Sequence, residues 1–507
     1  MFKNSRLVFV LLSILYFSLR IFNLTLLPVF GDEAIYLDWA WRMTHEPGLL
    51  YFSLNDGKQP LLFWIFGILE NFFKDPLFAG RFVSVVFGYL TMIGIYKIGK
   101  KYFSVNVAYI SALLYITIPI LSFFDRQALM EAAISTIGVW AVWYFLSWQQ
   151  TQRYQDALKM GLVLGIGLFI KSTVIIFLIT GLVLGAYVVI TKKILKRGLK
   201  HAAILIGAVA VVLSLLLINP IFWSTLSMNS RYGNSLYDLL GFPISLWLKN
   251  ISVNAEIILF FVTPLVFITV LGGVFMISRI KGLSAKKTIL LWVILSIVLQ
   301  TILVKGSMSR YLVSFLPLLT LFSAYFVAGV LKSNRVIGAL LLALVVLVPL
   351  LLTLFSIFYP SEYLRSYKNL TPQTDIAYVQ SSSSGYGVDR LLSSINKIQT
   401  AEGKRIFVGI AENAGIPESA LQMYYQKSDQ VTIAYFGDPT SSLDEYDCLK
   451  ADQSIYFVSR NDETPGITKF LDKIEVIKND YNLNTFGIWK LKEKCVGKSI
   501  SVSLEKQ

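Results

Sequence analysis

Eleven apolar stretches, most of them long enough to cross a bilayer, occupy the chain between residues 7 and 359. They fall at 7–27, 80–97, 105–124, 131–148, 157–170, 173–191, 202–219, 252–278, 288–304, 311–331 and 336–359. A spanning helix needs about 20 mostly apolar residues, and hydrocarbon tolerates only backbones that satisfy their own hydrogen bonds. The pattern therefore predicts a polytopic α-helical membrane protein with about 11 transmembrane helices. The first run follows MFKNSR and lacks a small-residue cleavage site, so it reads as an uncleaved helix, not a signal peptide.

Charge orients these spans. The net charge of +15 would suit nucleic acid, but the basic residues sit in short clusters between apolar runs, as in cytoplasmic loops, and no nucleic-acid partner is expected. Lys3 and Arg6 place the N-terminus in the cytoplasm. Alternation then puts Lys97, Lys100, Lys101, the cluster at 192–200, Lys286 and Lys287 on that side as well. The first loop (28–79), residues 125–131, the loop 220–250, residues 305–310 and everything after 359 fall outside. This parity depends on Lys171 lying between two helices; one kinked helix there would invert everything downstream.

The chain divides at about residue 359. After it, composition becomes ordinary globular. Residues 405–410, 431–436, 454–458 and 485–491 read as strands, and 388–399, 418–426 and 466–479 as helices, which predicts an extracytoplasmic α/β domain over 360–507. Cys448 and Cys495 lie there, free to pair outside the cell or to remain thiols. With only His45 and His201 elsewhere, a histidine or cysteine metal site within the membrane region is excluded, whereas an oxygen-ligand site is not.

The chemistry concentrates in the first loop, PVFGDEAIYLDWAWRMTHEPGLLYFSLNDGKQPLLFW. Asp32 and Glu33 are adjacent carboxylates at a membrane edge, where acids are costly unless they line a site. From chemistry alone they serve equally as solvated caps of a helix starting near Ala34. Lys58, Lys171, Lys305 and Arg310 are cations on the same outer side. Two surface helices, near 34–44 and 61–73, would shape a cavity there.

An apolar first helix, a Gly31-Asp32-Glu33-Ala34 turn, an aromatic helix and the Lys58-Gln59-Pro60-Leu61-Leu62-Phe63-Trp64 segment together resemble the first external loop of GT-C class glycosyltransferases. The likeness is to those that use polyprenyl-phosphate sugars, family 39, the protein mannosyltransferase and aminoarabinose transferase group. Arg310-Tyr311 followed by Leu312 to Pro317 resembles the Arg-Tyr-Leu helix start of that family, and GLVLGIGLFIK ending at Lys171 resembles its Gly-rich helix. Arg126-Gln127-Ala128-Leu129-Met130-Glu131 resembles its second acidic motif with glutamate in place of aspartate. Ser384-Gly385-Tyr386-Gly387 and residues 408–425 resemble the external domain of bacterial members.

The resemblance implies a GT-C-like transmembrane catalytic domain over 1–359 that moves a mannose-like hexose or pentose, with inversion, from a polyprenyl-phosphate donor at the outer face of the plasma membrane. The acceptor, whether protein, lipid or glycan, is not specified. Asp32 would act as base, with Glu33 and Glu131 as supporting acids, and Lys58, Arg126, Lys171, Arg310 and Tyr311 as substrate-binding groups. Asp125, Arg126 and Glu131 are equally readable as a local ion pair and cap, and Lys305 and Arg310 as snorkelling helix ends. No cofactor is assigned; a divalent cation on Asp32, Glu33 and Glu131 is left open. A flippase of lipid-linked sugars would use the same cations without a base, though no internal repeat supports it; a scaffold would leave the carboxylates unexplained.

Overall fold

The computed structural model describes residues 5–225, 231, 233–366, 377–411, 413–436, 454–460, 471–479, 481 and 485–491. Helix α1 (Ser5–Ile21) leads into a loop that carries α2 (Gly31–His45), two short 3-10 turns and α3 (Leu61–Glu70). The bundle continues with α4 (Pro76–Tyr102), α5 (Val105–Thr117), α6 (Pro119–Asp125), α7 (Glu131–Thr151), α8 (Tyr154–Ile170), α9 (Ile175–Thr191) and α10 (Leu195–Leu217). The short α11 (Pro220–Thr225) and α12 (Leu236–Leu240) precede α13 (Ile244–Phe261), α14 (Pro264–Ser278), α15 (Ala285–Leu303), the single turn α16 (Ser309–Leu312), α17 (Leu316–Ser333) and α18 (Arg335–Phe358).

Local chemistry sets the boundaries. Asp75 caps α4 by accepting from Leu77 N with Pro76 at the first helical position, and Ser104, Ser284 and Asn334 cap α5, α15 and α18 in the same way. Pro119 cannot continue α5, and the chain bends by 68° into α6.

Among the described residues, seven helices are individually long and apolar enough to cross a membrane, and the bent α5/α6 pair makes an eighth if it is one span. Helices α1, α7 and α8 are shorter or more polar but lie in the same bundle. Packing shows the direction of each. Near Lys171, Gly167 abuts Val174, and further along Gly181 abuts Met160, so α8 and α9 are an antiparallel hairpin and not one kinked helix. The expected single run 252–278 is broken at Val262 and Thr263, where Thr263 has φ +80° ahead of Pro264. Both halves still run the same way. Asn250, early in α13, donates to Thr301 O and Val304 O at the end of α15, while Thr269 meets Ser323 and Met276 meets Gly329 in parallel with α17. Among the described residues each of the eleven apolar runs is met by one helix or one broken pair, with α13 and α14 as one.

Beyond α18 come α19 (Pro360–Ser366), α20 (Ala377–Gln380), α21 (Val388–Glu402) and α22 (Glu418–Tyr425), with strands β1 (Ile406–Ala411), β2 (Val431–Phe436), β3 (Ser454–Arg460), β4 (Leu471–Lys478) and β5 (Thr485–Leu491). They form one sheet in the order β2-β1-β3-β5-β4, parallel across β2, β1 and β3 and antiparallel beyond. Residues 471–478, expected as part of a helix, are the edge strand β4. Cys448 and Cys495 lie outside the described residues.

The sheet region rests on the first loop. Lys427 Nζ donates to Glu70 O at 2.5 Å and Phe73 O at 3.1 Å, Gln426 donates to the Glu70 carboxylate at 2.9 Å, and Arg42 donates to the Tyr435 hydroxyl at 3.2 Å.

Candidate active site at the membrane edge

The first turn of α2 separates its two carboxylates. Glu33 is fully buried and accepts four hydrogen bonds: Arg81 Nε at 2.9 Å and Ala128 N at 2.6 Å on Oε1, Arg81 Nη2 at 2.7 Å and Phe30 N at 3.0 Å on Oε2. Arg81 gives its remaining donors to Leu24 O, Leu27 O and Pro28 O. A paired and saturated buried charge has nothing left to offer a substrate. Glu33 ties the start of α2 to α4 and to the segment before α7.

Asp32, one residue earlier, points the other way and is 35% exposed, with Oδ2 accepting from Arg310 Nη1 at 2.6 Å. Arg310 Nε donates in turn to Glu131 Oε1 at 3.2 Å, and the same oxygen takes Lys171 Nζ at 2.9 Å. Four residues from α2, the start of α7, the α8/α9 turn and α16 thus form one chain of alternating charge. Glu131 is only 1% exposed, and its Oε2 has no hydrogen-bond partner among the described residues. Such an orphan is costly unless something completes it. Tyr36, one turn on from Asp32, is buried with its phenol in the field of Asp32, Arg310 and Glu131; burial, then Asp32, push its pKa well up, so it stays a donor.

From this chain a narrow crevice runs between α7, α9, α15 and α16. Its mouth carries Glu131, Lys171, Arg310 and Tyr311, and its walls include Ile134, Phe177 and Phe315. Polar at one end and apolar along its length, it suits an amphiphile. The Lys171 ammonium stands 5.7 Å from the Tyr311 ring centroid.

Lys58 lies one aromatic ring away from this cluster. It is paired with Asp56 and stands 5.2 Å from the Trp39 ring and 5.9 Å from that of Tyr36. Its neighbour Gln59 is buried and accepts from Ser172 N at 3.2 Å, docking the first loop on the α8/α9 turn.

The other expected residues sit elsewhere. Arg126 does not face the cleft: its Nη atoms donate to Leu19 O, Arg20 O, Phe22 O and Asn23 O, closing the carbonyl end of α1. Asp125 pairs with Arg20 at 3.1 Å and accepts from Tyr16 and Tyr115, so the local pairing of Asp125 with Arg126 is replaced by two separate networks. Lys305 is exposed, near Asp238. Glu33 is turned away from Asp32 and Glu131, so these acids do not make one cation site, and no group of three histidine, cysteine or acidic residues suited to a metal occurs among the described residues.

Sequence reasoning passed over Arg81, Arg20 and Tyr36. The two arginines did leave a signal, since each is a charge inside an otherwise apolar run, and such residues are rarely idle.

Residues 57–218 match the family described as dolichyl-phosphate-mannose-protein mannosyltransferase. No curated protein sequence matches the chain. The fold is similar to that of ArnT from Cupriavidus metallidurans bound to undecaprenyl phosphate, at a TM-score of 0.55 and 15% identity over 95% of this chain and 97% of that one. The apo state of the same enzyme gives 0.55 and 14% over the same shares. The Archaeoglobus fulgidus oligosaccharyltransferase is more distant, at 0.49 and 12% over 91% of this chain and 70% of that chain. The ArnT similarity, nearly end to end in both chains, shows a GT-C fold of the ArnT type, with its helical bundle and terminal sheet region.

Proposed function

We propose that the chain is a glycosyltransferase that takes a sugar from a polyprenyl-phosphate carrier and passes it, with inversion, to an acceptor hydroxyl at the outer face of the membrane. The observation that carries this reading is the Asp32–Arg310–Glu131–Lys171 chain at the mouth of a cleft with apolar walls. The family matched over residues 57–218 and the undecaprenyl phosphate named with ArnT support the carrier.

In this reaction the acceptor oxygen attacks the anomeric carbon and its proton passes to the Asp32 carboxylate. The bond from that carbon to the phosphate oxygen breaks, and its electron pair stays on the departing polyprenyl phosphate. That developing charge needs fixed cations, which Arg310 and Lys171 supply, with Lys58 close by. Arg310 offers a planar fork suited to phosphate. Glu131 holds both cations in place, while the apolar walls take the first part of the lipid.

The basic loops 192–200 and 279–287 lie at the ends of the bundle remote from this site, which supports an extracytoplasmic site and tail by the positive-inside rule. The donor sugar is expected to be a hexose or pentose.

The test uses purified protein in lipid with a panel of radiolabelled polyprenyl-phosphate sugars and a crude acceptor fraction, comparing wild type with Asp32→Asn. Transfer from one donor, lost in the variant, identifies the sugar and supports the base. Binding of polyprenyl phosphate with no donor consumed would favour transport of the lipid-linked sugar.

A further inference from the structure

We infer that residues 377–387, a strap by which the tail reaches back over the first loop, position Asp32 and so make the tail a working part of the site. This rests on the transfer reading above. The strap touches each of the three residues that precede Asp32. Gly31 N, a helix-start donor with no partner inside α2, donates to Ser383 O at 2.8 Å. Phe30 packs on Tyr378 with ring centroids 4.0 Å apart and ring planes tilted by 31°. At Val29 the backbones meet so closely that a Cβ on Gly385 would stand 1.9 Å from Val29 O and 3.0 Å from Val29 N.

No side chain fits at position 385 unless the Val29 peptide moves, and Val29 is three residues from the base. The strap is itself anchored on two sides. Tyr386 OH shares a short hydrogen bond with Ser361 in α19, and Tyr386 O accepts from Asn479 Nδ2 at 2.8 Å just past β4. Tyr378 also meets the Phe123 ring edge-on at 5.0 Å, wedging the strap between α2 and α6. Its phenol lies within the electrostatic reach of Arg310, the partner of Asp32. The aim of the Asp32 carboxylate is therefore set jointly, by the strap on residues 29–31 and by Arg310 and the Glu33–Arg81 pair of the bundle.

The experiment uses the full chain in lipid and three variants, Gly385→Ala, Tyr378→Leu and Tyr378→Phe. For Gly385→Ala, kcat is expected to fall on the order of 100-fold, since a displacement of about 1 Å at a reacting group costs that much, while KM for the donor and the affinity for polyprenyl phosphate stay unchanged. Tyr378→Leu, which removes the ring contact, is expected to lower kcat in the same sense, and Tyr378→Phe, which keeps the ring, to restore most of it with a shifted pH–rate profile. A role confined to folding would instead lower yield and donor binding together and leave the profile where it was. Wild-type kcat in Gly385→Ala, or loss of polyprenyl-phosphate binding in step with transfer, overturns the inference. Should the wild type transfer from no donor, the reaction reading fails, and the strap is still tested by hydrogen exchange at residues 30–33. Faster exchange there in Gly385→Ala is expected, and equal exchange overturns the contact.

Discussion

Asp32 and Glu33 differ in fate because a helix turns by roughly 100° per residue, so neighbours cannot share a face. One carboxylate meets Arg310 at the cleft and the other meets Arg81 in the interior. Asp32→Asn is therefore expected to reduce transfer by roughly 10²–10⁴-fold, the usual share of a general base, with the melting temperature unchanged. Glu33→Gln is expected to do the reverse. It leaves the Arg81 guanidinium buried without its counter-ion, which costs on the order of 3–5 kcal/mol, read as a lower melting temperature in detergent. The GDEA turn was legible in the sequence as two adjacent acids at a membrane edge, and the family resemblance put the base on Asp32. That Glu33 is buried on Arg81 while Asp32 meets Arg310 was not legible, because both arginines approach from far along the chain.

At the scale of elements, the docking of α3 on the tail carries a titratable latch. Glu70 lies outside the spans, is buried, accepts from Gln426 with Oε2 and leaves Oε1 without a partner among the described residues. Burial raises its pKa to about 8 from 4.5, only partly opposed by Gln426 and Lys427, and Asp38 raises it further. An acid whose folded pKa is raised favours the folded contact when protonated, so this stabilisation is full below about pH 4.5 and is lost as pH rises toward 8. The protection factors of the α3 amides, that is, exchange corrected for its intrinsic pH dependence, are expected to be higher at pH 5.5 than at pH 8.5, an interval chosen to bracket that pKa, and Glu70→Gln is expected to remove most of that difference in protection. The edge strand β4 shows a different local ambiguity. In LDKIEVIK the apolar residues Leu471, Ile474 and Ile477 fall at helical spacing, yet pairing with β5 and a register shift between Lys473 and Glu475 override it.

Across the whole molecule, the hairpin at Lys171 and the single broken crossing of α13 and α14 put the first loop, the cleft mouth and the tail on one side. The positive-inside rule then predicts which side that is. In a cysteine-free background, Asp429→Cys is expected to react with a membrane-impermeant maleimide in intact cells, and Lys196→Cys only after permeabilisation. The opposite result would invert the orientation and move the proposed site to the cytoplasm.

Apolar length, capping residues and basic clusters are local signals, and from them the sequence by itself determined the crossings, their alternation, four of the five strands and the loop that holds the acids. Tertiary structure alone decided which charges meet. Arg126 was read from its motif as a substrate cation, but the open carbonyls of α1 lie within its reach and hold it. Glu131 was read as uncertain, and Lys171 and Arg310 draw it to the cleft. The tail offered no catalytic pattern, and its contacts with residues 29–31 include backbone ones at Ser383 and Gly385, which carry no side-chain signature. Hydrophobic burial in a membrane protein is written locally and can be read along the chain, whereas the partner of a charge is fixed only when distant segments fold to within a few ångströms of each other.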